Sequence, residues 1–578
     1  MSTTPAPSTT GSAAGTTGTA GRSPWPALLV ILFAAFMDML DLNIAAVVTP
    51  AIQRSLHAGY AAGQWFVASY ALAFAVLLIP GGRLGDMYGR KRVFLTGVAG
   101  FTLASAACAL APTAGVLIAA RCVQGGFGAL MVPQVLAVLQ LLFAPDRRGA
   151  AFAAYGSVMN LAQLAGPVLG GFLATDDLLG LGWRAVFLIN VPIGVLVLVG
   201  TWLLLPESRS DRALRPDPTG IALVALLAVL LVYPLQQGRA AGWPAWMLIA
   251  LAGAVPVALL VARQQGRSGP ERALIPVALF RNRSFTAGMV QLLLVYSALV
   301  SLQMPVIWET QIGLGWSALR TGCAMVGWVL GTCLLGIPAV SLAPRIGRAL
   351  LATGCVVVAA ATLLLSAVTG RGALGFWPLA GCLAAIGCGL GLVVPILINL
   401  VLSGVPRRDA GSGAGLANAA VYLASAAGIG LIALVFFARL GGAGAAHARA
   451  QEPALRAALT ARGASGAAQD AALAQLRDCV VARTGALDPY RTPDGCPDDA
   501  AGGATGDAVR TAMRASFADA TSHSLRYSAV AFLVVLGLTP LLPRPGSDGA
   551  DGGADGDADG DADGSTDRGR RPARSARE

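Results

Sequence analysis

An all-α fold built into a lipid bilayer is what this sequence of 578 residues predicts, and three observations predict it. Hydrophobic residues make up 55% of the chain and charged residues 12%, with a mean hydropathy of +0.67. A water-soluble fold is less apolar and carries about twice that share of charge. The apolar residues gather in long runs, beginning with Trp25 to Val48; as a helix that run rises about 36 Å, enough to cross a hydrocarbon core of about 30 Å with some tilt. The runs are continuously apolar rather than alternating, so they read as helices that satisfy their own backbone groups, not as barrel strands.

Taken in order, six spans near 25–48, 64–81, 93–111, 116–143, 150–174 and 185–205 make an N-terminal half, residues 25–205. Two more, near 220–236 and 246–263, sit in a segment 206–284, and six near 286–308, 321–343, 350–369, 376–404, 414–439 and 525–543 make a C-terminal half, residues 285–543. The short loops give the orientation. Those on the side of the N-terminus hold Arg83, Arg90, Lys91, Arg92, Arg147, Arg148, Arg281, Arg283, Arg345, Arg348, Arg407 and Arg408 among others, whereas the opposite loops hold Arg54, Arg184, Arg239, Arg320 and Arg371. Basic loops stay inside, so both termini are expected in the cytoplasm of a multi-pass protein of the cell membrane. The net charge of +11 is then a topology signal facing anionic lipid, with no nucleic-acid partner implied.

Residues 1–24 are rich in Ser, Thr, Gly and Ala, and residues 544–578 contain the low-complexity run DGADGGADGDADGDADG; both read as disordered cytoplasmic tails. That run lacks the closing Glu of a calcium loop, and no metal site is expected. Lys91 is the only lysine, which beside abundant Ala, Gly and Arg reads as the coding bias of a high-GC bacterium. Seven of the nine cysteines fall in the spans and read as small packing residues. Cys479 and Cys496 instead share the long segment 440–524, which the topology places outside, where a disulfide persists. That segment is expected to be a loop with at most a short helical cap.

An internal repeat divides the chain. LAPRIGRALLATG (342–354) echoes LGDMYGRKRVFLTG (84–97), and PRRDAGS (406–412) echoes PDRRGAA (145–151), both at an offset of about 260 residues. The offset pairs spans 9–14 with spans 1–6 and leaves spans 7 and 8 as an inserted pair. Parallel halves of this kind are a transporter architecture, with the substrate site between them near the midplane.

Charged side chains at membrane depth mark the site. Asp38 and Asp41 are three residues apart on the first span and share a face; a carboxylate there costs about 2.5–3.5 kcal/mol on insertion scales, which makes it functional by default. A bound cation and a proton can compete for such a group. Arg121, inside the fourth span, is as costly and needs a partner. In the fifth span Gly166, Pro167, Gly170 and Gly171 form GPxxGG, where small residues allow close helix crossing and the proline bends the span.

Five stretches in order, LDLNIAAVVTPAI (40–52), GGRLGDMYGRKRVF (81–94), LIAARCVQGGFGAL (117–130), AGPVLGG (165–171) and GWRAVFLINVPIG (182–194), make the chain similar to the major facilitator superfamily, specifically its fourteen-helix drug:proton antiporters of the EmrB/QacA type. The resemblance implies proton-coupled export of organic compounds, with Asp41 as the main coupling carboxylate, Asp38 assisting and Arg121 as the relay arginine. It implies that Gly82, Asp86, Gly89, Arg90 and Lys91 latch the two halves on the cytoplasmic face, and that GPxxGG marks export rather than uptake. Asn43 and Ala46 stand where the family's first-span motif has Thr and Asn, and Ala153 and Ala162 stand where glycines usually precede the fifth-span motif.

Other classes fit less well. An ATP-driven pump needs GxxxxGK[ST], and Lys91 is followed by Arg92. An intramembrane hydrolase needs a histidine in the spans, but His57, His447 and His523 fall in outer loops or at their margins, and Ser465 of GASG lies in the outer segment. A proton-coupled uptake symporter of the same fold, or a membrane protein that binds without transporting, are the remaining alternatives. The expected cargo is a small amphipathic or cationic organic compound, the expected energy source is the proton gradient without any cofactor, and a monomer is expected to suffice.

Overall fold

The computed structural model describes residues 24–143, 145–175, 180–209, 217–269, 274–275, 277–403, 405, 410–488, 490–497 and 503–542. Residues 1–23 and 543–578, which take in both tails except Pro24, and Arg407, Arg408 and Asp409 at the entry to span 13 lie outside these residues. Among the described residues fourteen helices are long and apolar enough to cross a membrane. They are α1 (Trp25–Leu56), α2 (Tyr60–Tyr88), α3 (Arg90–Ala109), α4 (Ala114–Leu142), α5 (Pro145–Thr175), α6 (Gly182–Leu204), α7 (Pro218–Ala241), α8 (Ala245–Arg267), α9 (Arg283–Gly313), α10 (Ala318–Ala343), α11 (Arg345–Gly370), α12 (Phe376–Ser403), α13 (Ala410–Ala461) and α15 (Ala504–Leu538). A shorter helix, α14 (Gly466–Gly485), lies between the last two.

Helices α1 to α6 pack around two apolar clusters, one holding Phe94, Phe101 and Met131 and the other Ile44, Phe66 and Trp183. The core of α9 to α13 and α15 is a third cluster, which also takes in Ala46 and Val47 of α1 and Tyr60, Val67, Ala68 and Ala71 of α2. Across the boundary α2 packs on α13 and α5 packs on α10. Helices α7 and α8 pack on each other, and α7 also touches α2 and α13. Ile249 and Val255 of α8 are 70% and 65% exposed, as expected of an outer helix facing lipid.

The two halves repeat each other in detail. A Cβ on Gly97 of α3 would lie 2.9 Å from the backbone N of Met131 on α4, and one on Gly354 of α11 would lie 2.7 Å from the carbonyl of Gly389 on α12. The same glycine in both copies of the repeated sequence therefore lets the third helix of its half approach the fourth.

One expectation is corrected. Residues 440–524 are largely helical: α13 runs on to Ala461 without a break, α14 follows, and α15 begins at Ala504. A helix of that length measures about 78 Å, more than twice a bilayer core, so α13 projects well beyond the membrane. Its extension, α14 and the start of α15 share a small core of Leu455, Leu473, Leu476, Val480 and Val509. Cys479 and Cys496 are joined by a disulfide with a Cα–Cα separation of 5.4 Å. Although built on helices of the C-terminal half, this appendage reaches the other half, where the N–H of Tyr60 donates to the carbonyl of Leu487 at 2.8 Å. Arg54 lies 5.5 Å from the ring centre of Tyr490.

After mild reduction, a membrane-impermeant maleimide added outside intact cells is expected to label Cys496, the more exposed of the two, and to leave it unlabelled without reduction. Labelling from the cytoplasmic side would overturn the topology.

Candidate functional site

Glycines on α4 bring the site together. A Cβ on Gly125 would lie 2.3 Å from the carbonyl of Tyr70, and one on Gly128 would lie 2.7 Å from the Tyr70 hydroxyl and 3.1 Å from Asp38. Only Gly lets α2 come this close to α4. The crossing sets the Tyr70 ring 4.5 Å from the guanidinium of Arg121, which is fully buried.

Arg121 and Asp41 form an ion pair inside the N-terminal half, with Asp41 1% exposed. Asp41 also accepts from Gln124 Nε2 at 3.0 Å and from Asn190 Nδ2 at 2.8 Å. Arg121 donates further to the carbonyl of Phe66 at 3.0 Å and to Gln124 Oε1 at 2.9 Å. Asn190 is held in turn by Ser105 at 3.0 Å, and Ser105 donates to the carbonyl of Phe187 at 2.9 Å. Both partners of the buried pair thus gain extra hydrogen bonds, while Arg121 Nη2 has no hydrogen-bond partner among the described residues and the guanidinium also lies 5.7 Å from the ring centre of Phe187.

Asp38 is placed differently. It accepts a hydrogen bond from Tyr70 and stands in the wall of a cavity of about 730 Å³. That cavity lies between the halves and is lined at depth by Phe74 and Tyr155 on one side and by Tyr296 and Tyr422 on the other. The rings of Phe74 and Tyr422 touch where the two walls meet, stacked with their centres 4.0 Å apart. Among the described residues Asp38 is the only charged one in this inner part of the lining; the others, Arg83 and Asp86 near the end of α2 and Arg90 at the start of α3, lie toward the arginine-rich face. Asp41 does not reach the cavity, so the two carboxylates of the first span have separate surroundings despite their shared face.

The cavity extends to the arginine-rich face, where Asp86, Arg90, Ser412 and Gly415 line it. Asp86 bonds to Arg90 at 3.0 Å. The rest of the basic loop is tied to its own half: Lys91 Nζ donates to the carbonyl of Trp202 at 2.8 Å, its N–H donates to Glu207 at 3.2 Å, and Arg92 pairs with Glu207 at 3.5 Å. Gly89 has φ +105°, a value that L side chains rarely adopt. Gly82 faces Pro133, with 3.6 Å left for a Cβ.

The opposite face is closed. Gly171 of α5 meets Leu319 of α10, where a Cβ would lie 2.5 Å from the Leu319 Cα. Gly322 of α10 meets Pro167, where a Cβ would lie 2.1 Å from the Pro167 carbonyl. Gly166 and Gly170 turn toward Asn43 and Ile44 of α1. The GPxxGG residues therefore lie at two contacts, one within the half and one across the boundary. Gln311 adds a strut, its Nε2 donating to the carbonyl of Val47 at 2.9 Å.

Sequence reasoning missed several of these groups. Gln124 is one turn from Arg121 and Asn190 is a lone amide in an apolar run, so both carried a signal. Glu309, 1% exposed at the end of α9, lies one residue beyond the apolar run near 286–308, where nothing in the sequence marks it as buried.

A two-half bundle of membrane helices around a central cavity, with a buried acid and arginine beside it, defines a membrane transporter. Residues 31–429 match the Major Facilitator Superfamily, and the chain belongs to that family. It is 39% identical to the "Probable actinorhodin transporter" of Streptomyces coelicolor over 91% of this chain and 94% of that one. It is 32% identical to the "Tetracenomycin C resistance and export protein" of Streptomyces glaucescens, over 73% and 78%. Its fold is similar to the crystal structure of a bacterial homologue of the human lysosomal transporter Spinster, with a TM-score of 0.57 and 17% identity over 91% of this chain and all of that one.

Proposed function

We propose that this protein is a proton-driven exporter in the bacterial cell membrane that moves amphipathic, ring-bearing organic compounds out of the cell by alternating access. The observation that carries the reading is the placing of Asp38 as the one inner charge of an aromatic cavity, with the Asp41–Arg121 pair behind it. The names of the two Streptomyces relatives support the class of cargo.

In this reading the arginine-rich face is cytoplasmic, both termini are inside, and the cavity is open to the cytoplasm. Cargo enters between the aromatic walls, and a cationic group on it competes with a proton for Asp38. Protonation of Asp41 from outside removes its charge and loosens its hold on Arg121. Because Arg121 is bonded to α2 through the carbonyl of Phe66, that change is felt at the helix that meets α13 across the cavity. The proton gradient is the energy source, no cofactor is used, and one chain supplies both walls of the cavity. The test is transport of a panel of organic compounds into everted vesicles. ATP-independent, protonophore-sensitive accumulation supports the reading, and failure of every compound in protein shown to be folded counts against it.

A latch is expected where α2 meets α3. Asp86 lies in the last turn of α2, and α2 packs on α13. When the cytoplasmic face closes, Asp86 is expected to leave Arg90 and approach the free backbone N–H groups near Ala410 to Gly415, a charge–dipole attraction of up to about 2 kcal/mol. Cysteines placed at 86 and 412 should then cross-link in a yield that changes with substrate and pH. A constant yield would leave the loop as a topology signal alone.

A further inference from the structure

Glu309 lies about 39 Å along α9 from Arg283 at 1.5 Å per residue, beside the seal on the face opposite the arginines. It sits in a π-helical turn, Glu309–Gly313, a feature frequent at functional sites. Among the described residues its carboxyl takes no part in any ion pair, and its one side-chain hydrogen bond is a long one from the Thr521 hydroxyl, 3.4 Å. The pocket is shut: a Cβ on the neighbouring Gly313 would lie 2.9 Å from Phe517 Cβ and 3.2 Å from Glu309 Oε2.

The charged groups on the packed elements are engaged elsewhere or face solvent: on α15, Arg514 is exposed and Arg526 donates to Ser366 Oγ at 3.3 Å. On α15, Asp519 holds Arg439 of α13 at 2.7 Å and His523 at 3.3 Å. On α10, Arg320 lies 4.2 Å from the ring centre of Trp316. On α1, Asp41 and Asp38 belong to the site described above, and Arg54 lies over Tyr490. Helix α12 carries no charged residue. An ionised carboxylate with no cation and one weak donor is not stable in such a place, so closure of this face requires a neutral Glu309. Two residues on, Gln311 makes the strut to Val47. The same turn therefore holds a buried acid and a contact that must break when the face opens.

We propose that Glu309 is a second proton-binding site, separate from Asp41 and Asp38, loaded from the outside as a condition of closing the outer face. This rests on the alternating-access reading above. Glu309 is not part of the cavity lining, so its proton returns to the outside when the face reopens. It times the cycle and is not part of the transported stoichiometry.

The test uses the full-length protein in intact cells with Val47→Cys as reporter, since Val47 is fully buried behind the seal. Its labelling by an impermeant maleimide is followed against external pH, with labelling of the parent chain subtracted, and the rate at each pH is divided by that of Ala461→Cys, an exposed position of the appendage, because only the thiolate reacts and its fraction rises with pH. This ratio should rise with pH, approaching about tenfold per unit. Glu309→Gln should make it low and flat, and Glu309→Leu should do the same if the amide fails to fold. Glu309→Asp should keep the dependence, and so should His523→Gln, which removes the nearby group that titrates near neutrality. A slope that survives both Glu309→Gln and Glu309→Leu overturns the proposal. Loss of proton-driven transport in Asp41→Asn with the labelling slope intact separates the two sites. Absence of any proton coupling in the parent would overturn the exporter reading while the labelling still reported on Glu309.

Discussion

Asp41→Asn is expected to abolish proton-driven efflux. The amide keeps the size of the side chain but cannot exchange a proton, and it leaves the fully buried Arg121 without its counter-charge. Removing one member of a buried pair typically costs about 3–5 kcal/mol, so reduced stability should accompany the loss of coupling. The double variant Asp41→Asn/Arg121→Gln removes the stranded charge and should recover stability in a thermal melt without recovering coupling. Recovery of proton-driven transport in the double variant would show that the pair is structural. Asp38→Asn tests the other carboxylate with less risk to the fold, because an amide oxygen still accepts from Tyr70; it should weaken binding of cationic cargo far more than neutral cargo.

Gly322→Val should stop turnover by holding the outer face open. The added side chain would press on the backbone of Pro167, where even a Cβ would lie 2.1 Å from the carbonyl, and backbone gives way far less readily than a flexible side chain. Transport should fall by at least about tenfold, the equivalent of 1.4 kcal/mol against the closed state, while a cysteine at Val47 becomes labelled from outside. Wild-type turnover in this variant would show that the α5–α10 contact is not needed for the cycle.

Much of this was legible in the sequence because a bilayer imposes strict rules. Fourteen apolar spans, their orientation signal and the cost of Asp41 and Arg121 at depth all follow from burying polar groups in hydrocarbon. The appendage of α13, α14 and α15 was not legible by the same means. Its helices are rich in Ala with scattered Arg and Asp, so they show good helix propensity without an apolar run, and a search for membrane spans passes over them. The partners of Asp41 come from α4 and α6, and only the folded chain shows that Gln124 and Asn190 converge on it. The division of labour between Asp38 and Asp41 was hidden for a similar reason. Three residues apart places them on one face, but which of them reaches the cavity depends on how α2 and α4 cross. Glu309 shows the weight of a single boundary residue: read as loop, an acid needs no explanation, whereas buried in a span it does.

The most direct test of the central claim is transport by the purified protein in sealed proteoliposomes under an imposed pH gradient, acid on the side of the appendage. With cargo initially equal on both sides, the account predicts that it accumulates on the acid side, that a protonophore collapses the difference, and that reversing the gradient reverses the movement. Cargo that merely equilibrates, at a rate indifferent to the gradient and to the protonophore, would contradict it.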